Sequence, residues 1–179
     1  MIHRPHAPRR GVAAVELAFV LMFFMVPLLL GVWEIGRMVQ VQQIISNSAR
    51  EGARLAAQGY TISSSGSSTQ IYATSAGGTS NVKDAVYNYL VAAGLTGLQS
   101  ADVTVAFAFT SPTAAGAYPA DPYLGEKNQT FTVTVTVPWN KVRWVNLGFL
   151  PQTTQLTFTA TWRMLVDDTF TVNQTLPSW

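Results

Sequence analysis

The sequence predicts an α+β protein. A long N-terminal transmembrane helix continues into a stem, and a small head follows in which a short helix packs on a roughly three-stranded antiparallel sheet. Three observations predict it. Leu17 to Trp33, LAFVLMFFMVPLLLGVW, carries no charge for 17 residues, and with Val12–Val15 the stretch covers roughly the 30 Å of a hydrocarbon core at 1.5 Å per residue. Beyond it, Ile35, Met38, Gln42, Ile45, Ala49, Ala53 and Ala56 recur at helical spacing, mostly three or four residues apart, the pattern of a helix with one apolar face. The C-terminal half holds three runs in which apolar residues alternate with polar ones, the mark of strands with one buried face.

The helix is expected from about Ala13 to Gln58. Pro27 should break its regularity because the ring removes one backbone donor, the partner of the Phe23 carbonyl. Gly59 offers a C-terminal stop, since glycine accepts the left-handed conformation that ends many helices. The segment YTISSSGSSTQIYATSAGGTS, residues 60–80, has no sustained periodicity and reads as a surface loop tacked down by Ile71 and Tyr72. Ser80 or Asn81 can cap a short helix with Val82, Ala85, Val86, Tyr89, Leu90 and Ala93 on one face, ended by Gly94. The strands follow. Val103, Val105, Phe107 and Phe109 mark the first, Phe131, Val133, Val135 and Val137 the second, and Leu156, Phe158, Ala160 and Trp162 the third. The threonine-rich opposite face is left to water, a neighbouring subunit or the stem.

Two aromatic groups fall in the loops: Tyr118, Pro119, Pro122 and Tyr123, then Trp139, Trp144, Phe149 and Pro151. They suit either a contact surface or a cover over the open edges of a small core. Asp167 and Asp168 are adjacent, and on a strand would point to opposite faces, which does not make a two-carboxylate acid/base site.

Composition excludes several functions. Charged residues are 11% and apolar ones 48%, against about a quarter charged in an average soluble domain. The formal charge of +2 belongs to the N-terminus. Arg4, Arg9 and Arg10 lie in the first ten residues, and the chain after Gly11 holds eight basic against nine acidic side chains, so a nucleic-acid partner has no support. There is no cysteine, and both histidines, His3 and His6, precede Gly11. Disulfides, thiolate or imidazole metal sites and the commonest general base are thereby removed from the rest of the chain. No cofactor and no small-molecule substrate is expected.

The arginines before the apolar run, with Glu34 and Arg37 cancelling after it, orient the N-terminus to the cytoplasm and the body outside it. The run is not followed by an A-x-A-like cleavage site, so a cleaved secretory signal and a twin-arginine signal are both disfavoured. A plain signal anchor accounts for everything except Glu16, an acid one turn inside the apolar stretch.

Gly11, then Val12-Ala13-Ala14-Val15, then Glu16, with basic residues upstream and an apolar helix downstream, resembles the cleavage motif of type IV prepilins. The resemblance implies a cut by a prepilin peptidase between Gly11 and Val12, with Glu16 as the fifth residue of the mature chain. The whole run RRGVAAVELAFVLMFFMVPLLLGVWEIGRMVQVQQIISNSAREGARLAA resembles the N-terminal region of TadE-like proteins, minor pseudopilins of the Tad (tight adherence) or Flp pilus system. G-V-A-A-V-E, the proline inside the apolar run, E-x-G-R at Glu34–Arg37 and A-R-E-G-A-R at Ala49–Arg54 carry it.

Together with the patterns above, the resemblance divides the chain into a basic prepilin-type leader over 1–11, a transmembrane helix over 12–33, a stem over 34–58, a Ser/Gly-rich loop over 59–80 and an α+β head over 81–179, the last two read from composition and alternation alone. It also implies a minor subunit of pilus biogenesis, anchored once in a bacterial inner membrane. Its partners would be prepilin peptidase and other Tad pilins, pseudopilins and assembly proteins. TadG-like proteins share this N-terminal region but are usually larger, so length favours a TadE-like or TadF-like chain, and the major Flp pilin is far smaller. The alternatives are a structural component of an export machinery that never polymerises and a signal-anchored periplasmic enzyme restricted to Ser, Lys and carboxylates.

Overall fold

The computed structural model describes residues 10–62, 68–74, 81–144 and 151–166. One helical rod opens the chain: α1 (Arg10–Val20), a π-helical turn (Leu21–Met25) and α2 (Val26–Gln58). It starts three residues before the expected Ala13 and ends at the expected Gln58. The break expected from Pro27 is the π-turn just before it. The ring leaves the carbonyl of residue 23 without its usual donor, and a turn bonded i→i+5 is the local spacing that absorbs the loss. At the other end Gly59 takes φ +66° and its N–H bonds the Ala56 carbonyl at 3.1 Å. A second last-turn carbonyl, that of Ala57, accepts the N–H of Leu165 at 2.8 Å, so the chain leaving the sheet helps close the helix end.

The sheet is three-stranded and antiparallel in the order β3 (Thr104–Phe109), β4 (Thr130–Pro138), β5 (Gln155–Arg163). Its central strand alternates as the sequence requires. Phe131, Val133, Val135 and Val137 are fully buried, and the threonines between them face out. There Thr134 and Thr136 meet Thr159 and Thr157 across the strand pair, hydroxyl to hydroxyl, at 2.9 and 3.1 Å. The rings of Phe107, Phe109 and Phe131 pack with centroids 5.0 to 6.1 Å apart, in tilted and edge-on arrangements that aromatic quadrupoles favour. Trp162 departs from its expected place: on the edge strand β5 it is 40% exposed.

The stem lies across the apolar face of the sheet. The C-terminal half of α2 packs on β4, on β5 and on α3 (Val82–Ala92), while among the strands α3 packs mainly on β3. The short helix therefore reaches the sheet largely through the stem, and the threonine face is left to the surface. The buried stripe of α2 is Glu34, Val41, Ile45, Ser48, Ala49, Gly52, Ala53, Ala56 and Ala57. Its core half shares Ile45, Ala49, Ala53 and Ala56 with the sequence-derived stripe, but Ile35 and Gln42 are exposed. The pair lies one residue, about 100° of helix, around from Glu34 and Val41, and the face that starts at Glu34 steps by sevens, fours and threes onto the sheet. Ser48 pays for its burial by donating to the Ile45 carbonyl at 2.8 Å.

Small residues let the layers approach. A Cβ on Gly52 would lie 2.6 Å from Val86 Cγ2 and 3.2 Å from Val82 Cγ1, so α3 crosses α2 at that glycine. Asn81 caps α3, its side chain accepting from the Asp84 N–H at 2.7 Å. The expected featureless loop contains a hairpin, β1 (Tyr60–Ile62) with β2 (Ser68–Gln70). Ile71 is fully buried behind it, and Tyr72 packs on Tyr123 at 5.0 Å. Of the aromatic groups, Trp139 opens the short helix α4 (Trp139–Val142) in the core and Pro122 is buried, whereas Tyr118 and Trp144 are exposed. Phe149, Asp167 and Asp168 lie outside the described residues.

Candidate functional site

The residues singled out in the sequence sit at the start of the rod. Gly11 lies in the first turn of α1, where a Cβ would meet nothing within 4 Å. Val12, Val15 and Glu16 are exposed on the regular helix that follows, which places position 16 one turn from position 12 on the same face. Among the described residues Glu16 makes no hydrogen bond or ion pair. From Gly11 to Leu30 every residue is exposed, including Phe19, Phe23, Phe24 and Leu28 at 64–77%. An apolar cylinder of this length calls for a cover, whether lipid or other protein. The helix from Gly11 to Gln58 is long and apolar enough to cross a membrane.

Where this cylinder ends, the sequence left a charge unexplained. Glu34 is the first buried residue of the rod at 8% exposure, and neither carboxylate oxygen has a hydrogen-bond partner among the described residues. The indole N–H of Trp139, also buried, is in the same condition. Both line a cavity of about 170 Å³ with Leu30, Trp33, Arg37, Arg143 and Trp144. The Arg37 Nε donates to the Val142 carbonyl at 3.3 Å and a terminal nitrogen donates to Gln40 Oε1 at 3.1 Å. Its guanidinium stands 4.6 Å from the centre of the Trp144 ring, and partial burial lowers its pKa from the ordinary arginine value. Trp33 meets Trp144 edge to face at 6.3 Å. Sequence reasoning used Glu34 and Arg37 as a cancelling charged flank and as part of a motif. The signal it passed over was that Glu34, not Ile35, leads the buried stripe.

A larger groove of about 540 Å³ runs between the stem and β5. Its polar groups are the amides of Gln42, Gln43 and Asn47 and the hydroxyls of Ser46 and Thr157, which offer no acid or base for proton transfer. Among the described residues no group of three His, Asp or Glu side chains gathers to hold a metal ion.

Residues 11–54 match the family model described as TadE-like protein. Over this stretch the chain is similar to TadE-like proteins. The matched segment starts at Gly11 and runs through the exposed cylinder, Glu34–Arg37 and the small-residue face that carries Gly52. It thus covers the part of the rod that stands outside the head and most of the part that the head grips. The likeness covers about a quarter of the chain, the rod and not the head. No match was found among curated proteins or among solved structures.

Proposed function

We propose that the chain is a minor pilin-like subunit needed for assembly of a Tad/Flp-type pilus, made as a precursor with a basic leader over residues 1–11. Residues 12–33 span the bacterial inner membrane once, the N-terminus faces the cytoplasm, and the head stands on the outer side. Prepilin peptidase cuts between Gly11 and Val12. The single observation that carries the proposal is the TadE-like match over 11–54, lying on a rod whose first 20 matched residues are exposed and, Glu16 apart, uncharged, and whose C-terminal part is built into a folded head.

The chemistry of the cut follows from the residues. Gly11 costs helix about 1 kcal/mol relative to alanine, so the first turn of α1 unwinds readily into an extended strand that a protease cleft accepts. Hydrolysis gives Val12 a new α-amino group, ordinarily with a pKa near 8 and so cationic at neutral pH. Glu16, four residues on, supplies the opposite charge within the apolar segment. An acid in that setting is held by a partner, and the amine of a neighbouring subunit is the partner that would set subunit register. The head and stem act by contact with other pilins and assembly proteins.

Intact-mass analysis and N-terminal sequencing of membrane-extracted protein, with and without a prepilin peptidase, test the proposal. A peptidase-dependent chain beginning at Val12 is the expected result. A chain cut beyond Trp33, or one whose N-terminus is the same in both hosts, would refute it.

A further inference from the structure

We propose that the cavity at the junction of rod and head binds the headgroup of a phospholipid carrying a primary ammonium, with Glu34 taking the ammonium. The inference rests on the reading of residues 12–33 as the membrane span. That reading sets the depth of the site: Leu30 and Trp33 are the last residues of the exposed apolar cylinder, so the cavity they share with Glu34 stands at headgroup level. Trp33 and Trp144, stacked edge to face and exposed, are the amphipathic rings that settle at that boundary.

The lining specifies the ligand. Glu34 presents two buried carboxylate oxygens and Trp139 one buried N–H, all without partners among the described residues. Leaving such groups unpaired in a buried site is costly, most of all for a charge. A primary ammonium has three donors for the carboxylate, and indole rings on the walls add attraction for a cation. A trimethylated ammonium has no donor and would leave both oxygens unpaired. Arg37, on the same wall, carries the charge that suits a phosphate. An anion beside a cation thus matches the ammonium and the phosphate of a zwitterionic headgroup, and a cavity of about 170 Å³ accommodates a group of a few heavy atoms.

The full-length chain in nanodiscs, one copy per disc, provides the test. The discs hold a phosphatidylglycerol matrix with equal fractions of phosphatidylethanolamine and phosphatidylcholine. Native mass spectrometry after gentle delipidation should show phosphatidylethanolamine retained about tenfold over either other lipid, the value of one charge-assisted contact, and Glu34→Gln should bring that enrichment to about one. Equal retention of the three lipids by the wild type overturns the proposal, and this comparison needs no variant to fold. Unchanged enrichment in E34Q overturns it as well, since the carboxylate would then be held by its own arginines. Enrichment confined to oligomers overturns it in favour of a second subunit. Alkaline extraction of the same reconstitution separates the two readings: a chain released from the bilayer refutes the span itself, whereas an inserted chain without enrichment refutes only the lipid site.

Discussion

Replacing Gly52 with alanine sets two terms against each other that the structure allows to be weighed. Alanine in a helix interior is favoured over glycine by about 1 kcal/mol. Against this, the new Cβ would stand 2.6 Å from Val86 Cγ2 and 3.2 Å from Val82 Cγ1, where carbon atoms at rest are about 3.5–4.0 Å apart. Val86 and Val82 are fully buried and stiff at χ1. Opening roughly 1 Å therefore means shifting α3 or forcing a rotamer, and overpacking of this kind costs about 1–3 kcal/mol. The net expectation for G52A is a loss of about 1 kcal/mol, or about 2–4 °C in Tm for a chain of this size. Gly36 is the control. It lies in the same helix, and a Cβ there meets nothing within 4 Å, so G36A should raise Tm by a similar amount through helix propensity alone. Circular dichroism melts of the two variants in the same detergent decide the matter. If G52A stabilises as G36A does, the close crossing of α2 and α3 is wrong.

Three further outcomes are expected. Phe131→Ala removes a fully buried ring that contacts Phe107 and Phe109 and should cost about 3–5 kcal/mol; a urea midpoint shift worth under 1 kcal/mol would mean that the sheet packs differently. The Glu51 carboxyl is held below its ordinary value chiefly by the Arg54 hydrogen bond. The contribution of that bond is present above the unfolded value near 4.5 and is lost as pH falls through the lower folded value. Because the pair is well exposed, Arg54→Met should lower Tm only slightly at pH 7, and that difference should shrink as pH falls below 4.5; a large penalty, or one that grows towards acid, would refute the surface assignment. Glu16→Ala should leave peptidase processing intact on an immunoblot while incorporation into pili falls severalfold; unchanged piliation would remove the registry role.

The sequence made the alternation of Phe131, Val133, Val135 and Val137 readable because a strand's period of two admits one buried face. The end of α2 was readable because Gly59 is the residue that tolerates the conformation found there. The stem's role was harder. Its face of Ala49, Gly52, Ala53 and Ala56 has helical period but little apolar bulk, so periodicity alone does not say whether it meets a sheet, a neighbour or lipid. Close approach to α3 and β4 is what small side chains are for, and it becomes visible only with the partner in place. The leading residue of the stripe was misplaced because Ile35 is apolar and Glu34 charged, and hydropathy assigns the inward position to the wrong member of the pair. For the same reason Glu34 was absent from the candidate residues. By contrast Gly11, Val12 and Glu16 stood out from their order along the chain, without any fold.

The central claim is that one continuous helix serves two solvents, lipid up to Trp33 and the core of the head beyond Glu34. The chain has no cysteine, so single cysteines can be placed at each position from 24 to 57 and spin-labelled in proteoliposomes. Collision with oxygen and with a water-soluble nickel chelate then reports lipid, water or protein at each site. The account predicts high oxygen accessibility through position 33 at every angle around the helix. Beyond it, oscillation with helical period should follow, with minima for both reagents at positions 41, 45, 49 and 53. High nickel accessibility near Leu28, or no oscillation between 41 and 57, would contradict it.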